Sequence, residues 1–484
     1  MTVPDEIARV VDERSTEFTE LSDQLWDHPE LRWAEFGAVA AQAAAAERAG
    51  FTIQRAVAGL PTAFCAEYGS GGPVIAILGE YDALAGLSQE AGAATRRPAP
   101  GAASGNGQGC GHHLLGSGSL LAAVAVARFL AASGLPGRVR YYGCPAEEAA
   151  AGKTFMVKGG AFADVDAAVS WHPGPVTGVL CHDVLAVCQA YFSFTGVASH
   201  AGATPWLGRS ALDAAELMNT GVNFLREHMP LDCRVHYAFV DAGGPSPNVV
   251  QAAARLMYLV RAPSVPQLRT LYDRVVKVAQ GAALMTETTL GVEFDGGSSE
   301  LLANTVLEQA MHDIMTGLGP VPFDDADSSR AGPFLATVSP AELAGLKRAA
   351  RIDEADPAPL HHGITPFDAA APRLSAGGST DVGDVSWVVP TVQCTTATAA
   401  LGTAAHSWQF VAQGKLPAAH KGMVHAAKVI GATAARLLSD AGLLAAAKAE
   451  FDARISRRPY DCPIPDGVLA PPLRARSRPG TTGG

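Results

Sequence analysis

The 484 residues contain no internal repeat, no basic block and no CxxC pair. Each absence removes a class of function. Without clustered Lys or Arg, a formal net charge of -11 argues against a nucleic-acid partner. The eight cysteines, at 65, 110, 144, 181, 188, 233, 394 and 462, are scattered, which is not a disulfide framework. The Ala-rich stretch from Leu120 lasts about a dozen residues before polar breakers, too short to span a bilayer. Residues 1–13 are acidic and polar and are not expected to form a signal peptide. The expectation is a protein of the reducing cytoplasm. What the chain does have is apolar material: 48% hydrophobic against 17% charged, enough for large buried cores. At roughly 100–200 residues per domain, the length predicts two or three domains.

Residues 4–49 read as two helices divided by a turn at 26–31, where Pro29 disfavours helical geometry in the residue before it. His28, in that turn, reads as a turn or surface histidine. Strands are expected at 74–78, 138–142 and 167–170, each running into polar residues, with helical stretches between. That alternation predicts an α/β fold with a mixed, mostly parallel sheet flanked by helices, whose ligands bind beyond the carboxyl ends of the strands. From about 183 the pattern changes to strand 190–194, helix 209–228, strands 235–240 and 251–260, helix 265–285 and strand 288–294. This β-α-β-β-α-β order is the ferredoxin-like unit, an inserted α+β domain. The expected division is 1–186 for the first part of the main domain, 187–303 for the insertion and 304–465 for the second part. A disordered tail rich in Pro, Arg and Gly follows at 466–484. Residues 320–376 show no assignable pattern. A last core strand is expected at 391–395 and closing helices at 420–439 and 443–455.

The polar residues at the strand ends are where chemistry is expected. Cys110 and His112 stand two residues apart among glycines, ahead of a helix-forming run at 119–130. A thiolate and an imidazole at a helix start suit a soft divalent metal such as zinc, and the free N–H groups of a helix end favour the thiolate. The ordinary alternative is a buried cysteine and a capping histidine. Glu147 and Glu148 are adjacent at a strand end, where neighbouring side chains point different ways. One can hold a metal while the other takes a proton from a water, the division of labour a metallohydrolase needs. A solvated acidic loop is the alternative. His172, held between Trp171 and Pro173, is a metal ligand or a core histidine. His406 follows the last strand in a run of small residues that allow close backbone approach, and is a ligand or a surface histidine. His200 is remote from these in sequence, which favours a supporting role. Asn248 and Arg261 share its domain, and Arg261 can clamp a carboxylate bidentately or simply lie at the surface.

Taken in order, GEYDAL at 79–84, GCGHHLLG at 109–116, PAEE at 145–148, SWHPG at 170–174, SHAG at 199–202, SPNVVQ at 246–251 and the His406 loop resemble the M20 metallopeptidases, and within them the Cys-Gly-His amidohydrolase branch. GKTFMV at 152–157, LGRSALDA at 207–214, ALMTETT at 283–289, STDVGDVSW at 379–387, AHKGM at 419–423 and the long insertion between Asp82 and Cys110 look like its aminobenzoyl-glutamate hydrolase subfamily. The resemblance covers nearly the whole chain except the tail. It implies a zinc-exopeptidase-like catalytic domain with two divalent ions per subunit, zinc or manganese. It also implies a smaller lid domain that dimerises, with a second copy or with a related subunit. Carried over by position, Cys110, His112, Glu148, His172 and His406 are the metal ligands, with Cys110 the bridge, and Glu147 is the general base. His200 and Asn248 polarise the scissile carbonyl and hold substrate, Arg261 meets the substrate carboxylate, and Asp82 supports the ligands from behind.

Two departures stand out. Gln108 and Gly109 precede Cys110 where short-loop members read His-Ala, and His113 stands where Asn or Asp is common. Neither removes a ligand. The implied activity is cleavage of the amide of an N-acyl amino acid, p-aminobenzoyl-glutamate or a similar aroyl-glutamate. A dipeptide or a carbamate is an alternative substrate, and a non-catalytic partner in a heterodimeric hydrolase is an alternative role. The intact set Cys110, His112, Glu147, Glu148, His172 and His406 argues against the last. A structural zinc protein fits worst, because closed sites need no spare carboxylate.

Overall fold

A computed structural model gives the protein's structure and describes residues 2–101, 104–149, 151–375 and 377–477. Thr2 caps the first helix, Val3–Asp27, through reciprocal hydrogen bonds with Asp5, and a proline occupies the helix start. The second helix, Phe36–Arg48, follows the expected turn.

Among the described residues the strands are β1 (Thr52–Arg55), β2 (Phe64–Ser70), β3 (Val74–Glu80), β4 (Gly137–Cys144), β5 (Ala167–Gly174), β6 (Gly178–Val179), β7 (Ala186–Thr195), β8 (Arg234–Asp241), β9 (Ala253–Ala262), β10 (Thr289–Ser298) and β11 (Thr391–Ala397). Seven of them form one sheet in the order β1-β2-β4-β3-β5-β11-β6. Its four inner strands, β4, β3, β5 and β11, run parallel, while β1, β2 and β6 pair antiparallel at the margins. Every residue of β3 is buried, as a strand covered on both faces requires. The strand pair β1 and β2 is absent from the sequence reading. β1 is only four residues long and mostly exposed, so it carries no hydrophobic period.

The helix expected at 119–130 is longer, His112–Ser133, and begins at the Cys110–His112 motif itself. It is long and apolar enough to cross a membrane, yet it is buried among β3 and the helices Val3–Asp27 and Pro417–Ser439. Each Leu or Val buried there contributes about 1.5–3 kcal/mol. Gly116 permits its approach, since a Cβ at that position would lie 2.4 Å from the Glu80 carbonyl oxygen.

The second sheet has the order β10-β7-β9-β8, antiparallel throughout, which with helices Ala211–Leu225 and Val265–Thr286 is the expected ferredoxin-like arrangement. Along β9, Ala254, Leu256, Tyr258, Val260 and Ala262 turn inward onto those helices. β8 is the outer edge, and of its residues only Val235 is buried.

Two regions depart from the sequence expectation. Residues 320–376 contain two short helices, Asp325–Leu335 and Pro340–Ala349, each closed by a capping box. Pro333 inside the first helix obscures its period. In the expected tail, Pro471–Ser477 is helical, anchored by Ala470 and Leu473 against the core beside β3. The rest of that tail, 478–484, lies outside the described residues.

Candidate active site

The parallel strands deliver their carboxyl ends to one side of the sheet. β3 ends in Glu80 and runs on to Asp82, β4 leads to Glu147 and Glu148, β5 carries His172 close to its end at Gly174, and the loop after β11 carries His406. Two backbone features hold the Cys110 turn against these ends. Gly111 has φ 76°, and a Cβ there would meet the Pro173 ring at 2.8 Å. His406, itself left-handed at φ 59°, donates its N–H to the Gly109 carbonyl at 2.8 Å.

Cys110 Sγ lies 3.4 Å from His172 Nε2. The His172 Nδ1–H donates to the Pro173 carbonyl at 2.8 Å. The His112 Nδ1–H donates to Asp82 Oδ1 at 3.0 Å and to the Asp82 carbonyl at 3.1 Å. Both bonds leave Nε2 facing the cluster, the arrangement of metal-ligating histidines. His112 Nε2 is 3.2 Å from Glu80 Oε2 and 3.8 Å from Glu147 Oε2, and His406 Nε2 is 3.4 Å from Glu148 Oε2. The second Asp82 oxygen accepts the Glu148 backbone N–H at 2.9 Å. Among the described residues three donor groups, each within 4.8 Å, overlap here: Cys110–His112–His172, Cys110–Glu148–His406 and Glu80–His112–Glu147. One thiol belongs to two of them.

Glu80 Oε2, His112 Nε2 and Glu148 Oε1 are buried without a hydrogen-bond partner. Buried polar atoms are nearly always satisfied, so orphans gathered among S, N and O donors fit a bound cation. The charges agree. Burial, then Glu80 and Glu148, push the Glu147 carboxyl well above its usual range. Against its burial and the Glu148 charge, His172 and His112 hold the Cys110 thiol down to about 6. Cys110 and Glu148 push His406 up to about 10. Against their burial, the Cys110 thiol raises the pKa of His112 and of His172 as well, so the surroundings favour positive charge at this place. The donor set suits divalent cations.

Lys153 lies below the cluster and has no assigned role in the sequence reading. Fully buried, its Nζ donates to Glu80 Oε1 at 2.5 Å and to Asp381 Oδ1 at 2.6 Å, and its backbone N–H to Asp381 Oδ2 at 2.7 Å. Asp384, one turn on, accepts from Thr154, Ser299 and Tyr460. The 379–387 stretch thus supplies two buried carboxylates to the floor of the site. The available signal is a lysine inside an apolar run soon after the paired acids.

The residues of the second sheet divide. Arg261 reaches back to the first domain and donates from Nη1 to Ser379 Oγ at 2.6 Å. Burial lowers its pKa, with Glu147 close enough to oppose the shift. His200 is not brought to the cluster. It is exposed, and its Nδ1 accepts the Gly202 and Ala203 N–H groups at 3.1 Å each, which leaves the proton on Nε2. Asn248 is beside it, its carbonyl accepting the Ala201 N–H at 2.9 Å.

The chain is 46% identical over 470 residues to one of the p-aminobenzoyl-glutamate hydrolase subunits of Escherichia coli (strain K12), covering 94% of this chain and 96% of that protein. It is 34% identical over 227 residues to the other subunit of the same organism's hydrolase, covering 45% of this chain and 51% of the relative. Among solved structures it superposes on the Bacillus subtilis YXEP protein, described as a dinuclear metal binding peptidase from the M20 family. The TM-score is 0.54 at 18% identity, covering 88% of this chain and 99% of that one. No protein-family profile matches the chain.

Proposed function

The chain belongs to the M20 family of metal-dependent peptidases and amidohydrolases, and from that premise we propose that it cleaves the amide bond of an aroyl-glutamate, p-aminobenzoyl-glutamate or a close analogue. The observation that carries the chemistry is the pair of donor groups sharing Cys110 beside a carboxylate that belongs to neither, Glu147. His112 and His172 with Cys110 would hold one divalent ion, zinc or manganese. Glu148 and His406 with the same thiolate would hold a second. When bound, the ions supply positive charge that polarises the scissile carbonyl and acidifies the attacking water.

The chain's own residues do the rest. Glu147 takes the proton from the attacking water and returns it to the leaving amine nitrogen, so base and acid are one group. Asp82 keeps the His112 ring oriented from Nδ1, and the same carboxylate fixes the Glu148 backbone. The Arg261 guanidinium, which donates to Ser379 Oγ, would exchange that hydroxyl for the glutamate carboxylate. A purified chain is expected to retain about two divalent ions and to release amine from p-aminobenzoyl-glutamate in preference to an unsubstituted N-acetyl amino acid. Elemental analysis and a small substrate panel check both. A metal-free chain that zinc and manganese fail to activate would remove this reading.

We take 187–303 as a lid that also joins subunits. β8 is an unpaired edge carrying the exposed Tyr237, Phe239 and Val240, and Trp206 near His200 is 70% exposed. An edge of this kind invites a second copy or a related subunit. His200 would then donate its Nε2–H to the carbonyl oxygen in the partner's site. In co-expressed His200→Ala and Glu147→Gln chains, half of the dimers are mixed and each has one complete site of two. Action across the interface therefore predicts about a quarter of wild-type activity. Mixed dimers no more active than the separate variants would assign His200 to its own subunit.

A further inference from the structure

Glu35 is fully buried and lies far in sequence from every residue of the candidate site. It stands at the N-cap of the helix Phe36–Arg48 but makes no capping bond with its side chain. Instead its Oε1 accepts two backbone N–H groups, from Trp33 at 2.9 Å and from Ala146 at 2.8 Å. Both donors have left-handed backbones, Trp33 at φ 66° and Ala146 at φ 55°. Neither residue type adopts that conformation without strain, so something must hold it. Ala146 immediately precedes Glu147 and Glu148, which continue as a single 3-10 turn. That turn is pinned at its other side by Asp82 through the Glu148 N–H. The paired acids therefore sit between two buried carboxylates, and the direction in which each side chain leaves the backbone depends on the Ala146 twist.

We infer that Glu35 is a positioning residue: by holding Ala146 left-handed it aims Glu147 at the reacting groups and Glu148 at its cation. The inference rests on the roles proposed for Glu147 and Glu148. What it supplies is an acceptor oxygen for two backbone N–H groups, and an amide oxygen can accept the same pair.

The test compares three variants with wild type for kcat, KM, metal content after dialysis and thermal midpoint. Glu35→Met fills the space without an acceptor and removes a buried acid. It is expected to fold, to lose about a hundredfold in kcat with KM within about threefold, and to lose metal on dialysis sooner than wild type. Glu35→Gln keeps the acceptor and is expected to stay within about threefold of wild type in all of these. Combining Glu35→Met with Ala146→Gly should recover about tenfold in kcat, because glycine adopts the left-handed twist unaided. Recovery by a glycine 111 residues away in sequence, at a backbone twist that Glu35 holds, is something a general loss of stability would not show. The inference is overturned if Glu35→Gln is as impaired as Glu35→Met, if Ala146→Gly recovers nothing, or if Glu35→Met alone fails to fold, which would make the carboxyl a folding requirement. Wild-type chain that neither retains metal nor hydrolyses the panel would instead remove the proposed function, so the two failures are distinct.

Discussion

Glu147→Gln is expected to keep the fold and the full metal content and to lower kcat by about 10²–10⁴. Glu147 belongs to neither of the two donor groups that share Cys110. Its Oε2 lies 3.8 Å from His112 Nε2, and burial, then the charges of Glu80 and Glu148, raise its affinity for a proton. An amide in its place cannot accept the water proton or return it to the amine. Glu148→Gln should behave differently. Its carboxylate faces His406 at 3.4 Å, and its other oxygen is a buried orphan. An amide there offers a weaker donor, and metal is expected to fall by about one ion per chain with activity lost alongside. Kinetics and elemental analysis on both variants check the pair. If both kept their metal and only Glu148→Gln were inactive, the two roles would have to be exchanged.

The largest expected loss of stability comes from Lys153→Met. The lysine ammonium is the shared partner of Glu80 and Asp381, and all three side chains are buried. Removing the cation strands two carboxylates in the interior, which costs about 3–5 kcal/mol. Thermal or urea unfolding of the metal-loaded chain measures it. Adding Asp381→Asn should return part of the loss, because the stranded charge is then smaller. A change below about 1 kcal/mol would mean that Glu80 and Asp381 find another cation.

The parts of the fold legible in the sequence are those with strong periodicity. β3, β4 and β5 read as apolar runs ending in polar residues, and the β-α-β-β-α-β order of the second sheet matches element by element. The strand-end location of Glu147, Glu148 and His172 is readable for the same reason, and Cys110 is marked by the helix start that follows it. Residues 320–376 are not legible, since their two helices are short and take their order from capping boxes and from packing of Ala331 and Phe334 against Ala400 and Ala412. Lys153, marked in the sequence only by its place in an apolar run, and Glu35 have no legible role for another reason. Their importance lies in partners far along the chain, Asp381 for one and Ala146 for the other, and no local pattern announces such a pairing. His200 shows the opposite limit: the motif around it is plain, but the structure sets its ring against the Gly202 and Ala203 backbone and not at the cluster.

The strand order has a consequence for how the chain comes off the ribosome. β11 lies between β5 and β6, yet the whole second sheet is threaded into the chain before β11 is made. Pairings between such remote segments form slowly and late. The second sheet, contiguous from β7 to β10, closes from its own residues as soon as they emerge. The first sheet waits, with β5 presenting an open apolar edge and with Cys110 and His172 lacking the loop that carries His406. Co-translational assembly is therefore expected to finish at the candidate site, and a chain cut short before Thr391 is expected to have a closed appendage and an unfinished core.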